Sequence, residues 1–333
     1  MRPMTGQEPR QTSVLPRPLT LLLQLAISVG LLLALVVMVD WGELRDAVGA
    51  LSTGRLVAVF ILCLGAQAMY VLRWRALMDM LGVQESWMRS WHTVFAGLFL
   101  VNFLPGTLGS DGLRVVLLTK SCGRASTAVG AIAYDRLMQL ALYVLVVAFA
   151  AVMPMDWLQP WLRVALMIVG TAAVLLIVFV LYWLGQRSVD SPLARGGLLQ
   201  SAWRLFATIL VETGRMQTRM RRHCRAAWGF WVASILNIAM IAAIWWLVLD
   251  DLGYAIGIPT IMLILGMIAI VIVVPVSLNG IGIFEGSVVA LLGLVAVQPA
   301  HSFLLALIVR AAFLAVSLVG LPSVMLIWRE RRS

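Results

Sequence analysis

The sequence predicts an all-α polytopic membrane protein: about six full spans plus two re-entrant hairpins, arranged as an inverted repeat. Three observations lead there. Of 333 residues, 62% are hydrophobic and 12% charged, against roughly a quarter charged in a soluble domain. Apolar runs reaching or approaching the roughly 20 residues that cross the hydrocarbon recur at 20–39, 56–72, 127–153, 164–184, 227–249 and 302–327. The basic residues also fall into clusters that fix which loops stay on the same side.

Of the 25 basic residues, 24 are arginine and Lys120 is the only lysine. Twenty lie in five clusters: the N-terminus, 73–89, 114–124, 187–225 and the C-terminal RERRS. Only Arg45, Arg55 and Arg163 lie in the other connections, and Arg136 and Arg310 fall inside apolar runs. Basic loops stay cytoplasmic, so both termini are expected inside a bacterial-type cytoplasmic (inner) membrane. The net charge of +10 thus reads as topology and contact with anionic lipid, with no nucleic-acid partner.

The first run, at 20–39, exceeds the 7–15 apolar residues of a signal-peptide core and precedes no small-residue cleavage site, so it is read as an uncleaved span. The second returns inward, placing 73–89 in the cytoplasm; Arg73 and Arg75 are read as closing it at the inner face, anchored to phosphate. The segment 91–104 lies between two cytoplasmic clusters. At 14 residues it is about 21 Å long as a helix, too short to cross, so it enters and turns back at PGTLGSDG. The third full span runs outward through Asp135 and Arg136 to the loop MDWLQPW, and the fourth returns to the basic loop 185–226.

Within that loop, 198–220 spaces Leu199, Trp203, Phe206, Leu210 and Met216 at helical intervals with arginines between. This suggests an amphipathic helix on the inner leaflet, with an ordinary cytoplasmic hairpin as the other reading. The fifth span runs outward to Asp250 and Asp251. The apolar segment 260–274, fenced by Pro259 and Pro275, then VPVSLNGIGIFEGS, form a second re-entrant hairpin of opposite sense. Two arms that cross completely would also satisfy the charge count. Trp245–Trp246 and Trp157/Trp161 are read as interfacial aromatic belts.

The expected domain plan is a tail at 1–19, one membrane domain at 20–328 and a tail at 329–333. Its halves, 20–153 and 163–328, each hold three crossings, so the second is inverted. Each break carries proline, a hydroxyl residue two positions on, glycines and a carboxylate. Asp111 precedes Arg136 by 25 residues, and Glu285 precedes Arg310 by 25. The proline-to-acid spacings are unequal, six against ten.

Interrupted segments in corresponding positions of two halves point to a binding site near the midplane. Proline and glycine free backbone groups that lipid cannot satisfy, and free amides at a helix N-terminus favour anions. Charges inside a span are costly, and Asp135 and Arg136 point about 100° apart, so each needs another partner. The expected partners are the acids and arginines of the breaks and of the other half, either lining a substrate path or locking helices together. Candidate path residues are Asn102, Pro105, Gly106, Gly109, Asp111, Arg114, Asp135, Arg136, Pro275, Ser277, Asn279, Gly280, Gly282, Glu285 and Arg310. Asn102 and Asn279 could equally cap broken helix ends.

No HExxH, GxSxG or phosphate-loop motif occurs. The three cysteines and three histidines are scattered without metal or disulfide spacing. Neither a cofactor nor a metal is expected, and a soluble-enzyme reading has no support.

RWRALM at Arg73, NFLPGTLGSDGLR, YDRL at Asp135–Arg136, PVSLNGIGIFEGS and the late Arg310 together resemble the lysylphosphatidylglycerol synthase transmembrane-region family of flippase-like proteins. Ser110 stands where that family's first block usually has glycine. The resemblance implies a membrane unit that moves lipid headgroups between leaflets or assists lipid-modifying enzymes. The chain stops at Ser333, so the aminoacyl-transferase domain of fused members, and aminoacylation, are not expected.

The expected function is therefore a lipid flippase or translocator for an anionic or modified headgroup. Its partner is a membrane lipid, either a phospholipid or a polyprenyl- or hopanoid-type lipid. The alternative is a non-transporting partner of a lipid or glycolipid synthesis enzyme. A third reading is an intramembrane enzyme with Asp111 and Glu285 as acid and base.

Overall fold

The computed structural model describes residues 17–102, 108–187, 198–273, 277 and 280–329. Among these the secondary structure is helical: α1 (Arg17–Met38), α2 (Trp41–Ala50), α3 (Thr53–Leu81), α4 (Trp87–Leu100), α5 (Leu108–Cys122), α6 (Ala125–Ala150) and α7 (Pro160–Gly185). There follow α8 (Leu198–Arg222), α9 (Cys224–Asp251), α10 (Ile258–Ile272), α11 (Ile283–Gly293) and α12 (Pro299–Ser317), then a 3-10 turn at Leu318–Gly320 and α13 (Leu321–Arg329).

Local chemistry sets the ends. The Asp40 carboxylate accepts the N–H groups of Gly42 and Glu43 at 2.7 and 3.2 Å, capping α2 where the chain bends by 86° from α1. Gly82 ends α3 in the left-handed region, φ 71°, with its N–H turned back to the carbonyls of Met78 and Asp79. Prolines open α7, α10 and α12, where a helix has no use for the missing donor.

Among the described residues five helices are long and apolar enough to cross a membrane: α3, α6, α7, α9 and the combined Pro299–Ile327; the bent pair α1–α2 is a sixth candidate. α10 and α11 are shorter apolar helices. The protein is thus a multi-pass helical membrane protein. α7 turns Ile168, Val169, Leu175, Leu176 and Phe179 outward, each more than 60% exposed, as a lipid-facing surface requires.

At the centre α3 lies along α9, with Cys63, Ala66, Leu77, Phe230, Trp245 and Leu249 buried. The two helices run antiparallel, since Arg55 near the start of α3 pairs with Asp250 and Asp251 at the end of α9, at 2.6 and 3.1 Å. The contacts of the short helices follow a matching order. α4 packs on α5 and α5 on α6, as α10 packs on α11 and α11 on α12. α10 also lies against α6, while α4 lies against α12 and α13. Small residues permit the close crossings: a Cβ at Gly266 would stand 2.5 Å from Val147 Cγ2, and one at Gly320 would overlap the Phe95 carbonyl.

Three expectations are corrected. α3 continues past the apolar run to Leu81, so Arg73 is an interior helix residue, 3% exposed, and not a phosphate anchor at the span's end. Burial is tolerated because Asp135 of α6 neutralises it at 2.7 Å. Residues 198–222 form one continuous helix, which removes the hairpin reading, yet α8 does not simply lie on a leaflet. Its Trp203 and Phe206 are exposed, but Val211, Glu212, Thr213, Met216 and Met220 are buried against the bundle, and Tyr134 of α6 donates to Gln217 Oε1 at 2.6 Å. Trp245 is fully buried and belongs to the core, while Trp246 and Trp161 are exposed.

Candidate functional site

Asp111, in the first turn of α5, and Arg136, in α6, form a two-point pair. Arg136 Nη2 donates to Oδ1 at 2.7 Å and Nε to Oδ2 at 3.0 Å. The 25-residue spacing brings them together because α5 and α6 are neighbours joined by a short link around Gly123. Asp135, one residue earlier, faces elsewhere, as adjacent helical positions must. It accepts Arg73 Nε at 2.7 Å, and its carbonyl accepts Arg73 Nη2 at 2.5 Å. The expectation that Asp135 and Arg136 take separate partners holds.

Arg114 follows Asp111 on the same face of α5, with Nη1 3.7 Å from Asp111 Oδ1. Its guanidinium donates to the Tyr70 hydroxyl and lies over the rings of Tyr70 and Trp74 at 4.5 and 5.5 Å. Ser110, beneath it, donates to Asp111 Oδ1 at 3.2 Å.

The second half repeats the pair differently. Glu285 of α11 is 1% exposed and uses both oxygens: one accepts Arg310 of α12, and the other accepts the Gly282 N–H at 2.7 Å. Gly280 and Gly282 have φ of 70° and 83°, favouring glycine, and a Cβ at Gly282 would lie 2.6 Å from Leu31 Cβ of α1. Glu285 therefore caps its own helix as well as pairing. Both arginine–acid pairs stay within their half, so the partners expected from the opposite half are not the ones used.

Of the other candidates, Asn102 caps α4: its amide donates to the carbonyls of Leu98 and Phe99 at 3.2 and 3.3 Å and to Ser317 Oγ at 2.9 Å. Gly109 sits in the first turn of α5. Ser277 is 5% exposed, and its hydroxyl has no hydrogen-bond partner among the described residues. Pro105, Gly106, Pro275 and Asn279 lie outside the described residues.

Three adjoining cavities meet at Tyr143. The polar one, about 210 Å³, includes Gln67, Tyr70, Arg114, Arg136, Gln139 and Asn237 in its wall. An apolar one, about 170 Å³, is walled by residues such as Ile238, Trp245, Leu265, Ile268 and Phe284. Ile241 and Phe313 line both. The third, about 470 Å³, runs from Asp111 and Arg136 between Leu140 of α6 and Ala269 and Ile272 of α10, with Val273 just beyond. Val273 is 57% exposed, so this cavity reaches the protein surface. Glu285 and Arg310 line none of the three.

The sequence matches the family described as lysylphosphatidylglycerol synthase TM region over residues 21–320. The chain belongs to that family. No curated protein matches it.

As a lysylphosphatidylglycerol synthase TM-region protein it is a membrane protein, and its family is consistent with a lipid-related membrane function. Several cavity residues were missed in the sequence. Gln67, Gln139 and Asn237 are amides inside apolar helices, a costly placement that can mark function as charges do, but unlike Asn102 and Asn279 they flank no proline–glycine break. Tyr70 and Tyr143 carried no signal that distinguishes them from packing tyrosines.

Proposed function

We propose that the protein moves a lipid headgroup, anionic or modified, between the two leaflets. The carrying observation is the chain of three cavities: a polar chamber with two arginines, an apolar chamber beside it, and an opening to the protein surface between α6 and α10. A site with a wet polar end and a dry end suits an amphiphile, and a lateral opening lets its chains stay in lipid while the head passes. The matching packing order of the short helices supports an inverted repeat in which α4–α5 and α10–α11 are re-entrant hairpins. On this reading the ends of the chain face the cytoplasm, and the residues around the chambers bind and guide lipid without altering it covalently.

The test is a leaflet-resolved assay with pure protein in vesicles carrying a reporter lipid in one leaflet. Redistribution above protein-free vesicles supports translocation. A new lipid species would indicate an enzyme. No movement and no product would leave the role of membrane partner to a lipid-synthesis enzyme.

A further inference from the structure

Another cavity lies at the end of the bundle where α3 finishes and α9 begins. It measures about 720 Å³, and its wall includes Arg75 and Asp79 of α3, Trp87 of α4, and Arg222, Arg225 and Gly229 around the start of α9. It shares no lining residue with the three chambers. Both α3 and α9 are long and apolar enough to span, so their adjoining ends place this cavity at a membrane surface. Trp87 and Trp228 are 56% and 73% exposed there, as indole rings at headgroup level are.

The wall is short of negative charge. Arg75 donates Nη1 to the Glu85 carbonyl at 3.1 Å and lies over the Trp87 ring at 4.3 Å, which holds its guanidinium without neutralising it. The side chains of Arg222, Arg225 and Asp79 are exposed and make no ion pair among the described residues. Three guanidiniums against one carboxylate leave two positive charges, with His223 counted as neutral.

An apolar track continues from these charges. Arg225, Gly229, Val232 and Leu236 follow at spacings of four, three and four residues, so they share one face of α9. Val232 and Leu236 are 41% and 44% exposed. Gly229 keeps the floor between them low, since a Cβ there would meet nothing closer than Ala76 Cβ at 4.0 Å. The face passes from cation to hydrocarbon over about 17 Å, the scale of an acyl chain.

We propose that this cavity holds a resident phospholipid with two phosphodiesters, of the diphosphatidylglycerol type. Its phosphates lie against Arg75, Arg222 and Arg225, and an acyl chain lies along Val232 and Leu236. Two phosphodiesters carry two negative charges at neutral pH and match the excess, and basic recesses between membrane helices suit such headgroups. A soluble acidic segment would satisfy the charges but leave the track unused. The bound lipid is a fixed component and not cargo, so the inference stands whether or not the protein translocates lipid.

The test uses the full chain, delipidated in detergent. It is titrated with diphosphatidylglycerol, phosphatidylglycerol at equal phosphate, phosphatidylcholine and the deacylated diphosphatidylglycerol headgroup. Binding is followed by native mass spectrometry and thermal unfolding. Diphosphatidylglycerol should bind at least about tenfold more tightly than the others. Arg222→Gln/Arg225→Gln should weaken it by about tenfold or more, yet leave the lipid-free unfolding temperature nearly unchanged, since both side chains are exposed. Gly229→Leu, which keeps every charge but fills the floor, should weaken it too. Asp79→Asn, which removes the repelling carboxylate, should tighten it by roughly fivefold.

Unchanged diphosphatidylglycerol binding in the folded double variant overturns the proposal. Phosphatidylglycerol binding as tightly would make the patch a general anionic surface, and the deacylated headgroup binding as tightly would make it a site for a soluble anion; either overturns the assignment. If the double variant does not fold, Asp79→Asn decides, and unchanged or weaker binding there counts against the site.

Discussion

Asp111 and Arg136 hold each other through both carboxylate oxygens, at 2.7 and 3.0 Å, at the point where the polar chamber meets the opening between α6 and α10. The pair can thus serve structure and substrate at once, and paired substitutions separate the two roles. Asp111→Asn leaves Arg136 and Arg114 without a carboxylate. The expected loss is about 2–3 kcal/mol, below the roughly 3–5 of a fully buried pair, because Arg136 keeps 38% of its side chain exposed. Asp111→Asn/Arg136→Gln should regain the thermal stability yet remain inactive in the vesicle assay. Wild-type transport by that folded double variant would make the pair a structural lock.

Arg73 and Asp135 give the opposite expectation. Their side chains are 4% and 5% exposed and line none of the three cavities. Asp135→Asn alone should cost about 3–5 kcal/mol, read as a fall in unfolding temperature. Arg73→Gln/Asp135→Asn should restore both folding and lipid transport. Restored folding with lost transport would place this pair on the substrate path as well.

Close packing of α4 against the 3-10 turn after α12 depends on Gly320. A Cβ there meets the Phe95 carbonyl, while one at Gly112 meets nothing within 4 Å. Gly320→Ala should destabilise by about 1–3 kcal/mol, the usual cost of overpacking. Gly112→Ala should be neutral or stabilising by up to about 1 kcal/mol, as expected in a helix. Equal unfolding temperatures for the two variants would argue against the described contact.

The proposed re-entrant arrangement predicts sidedness. In a background without Cys63, Cys122 and Cys224, a cysteine at Gly106 should react with an impermeant reagent from the cytoplasmic side. One at Ser277 should react from the outside, or both through a shared cavity. Protection of both from every aqueous reagent would remove the wet-cavity account.

The helical class, the spans and the acid–arginine pairs were legible because lipid penalises unpaired charge so heavily that position alone announces it. Equal spacing of Asp111–Arg136 and Glu285–Arg310 was a true signal: the acid-bearing helix packs on the next helix in each half. What spacing could not show is that the pairs differ in kind. Glu285 is consumed by a helix cap and Arg310, whereas Asp111 borders cavities, and that distinction depends on where α6, α9 and α10 converge. Arg73 was misplaced because an apolar run ends at its first charge, while a helix ends only where its backbone is stopped, here at Gly82. Trp245 was misplaced because an aromatic beside a helix end reads as interfacial until tertiary packing buries it.

The opening between α6 and α10 is the feature on which the proposed translocation most depends. With the native cysteines replaced, Leu140→Cys and Ile272→Cys line its two sides and can be bridged by a short, reducible bifunctional thiol reagent. Transport of a reporter phospholipid in reconstituted vesicles is then measured before bridging, after it and after reduction. The proposed path predicts movement in the open protein, none beyond protein-free vesicles when bridged, and recovery on reduction. Undiminished transport across a verified bridge would contradict it.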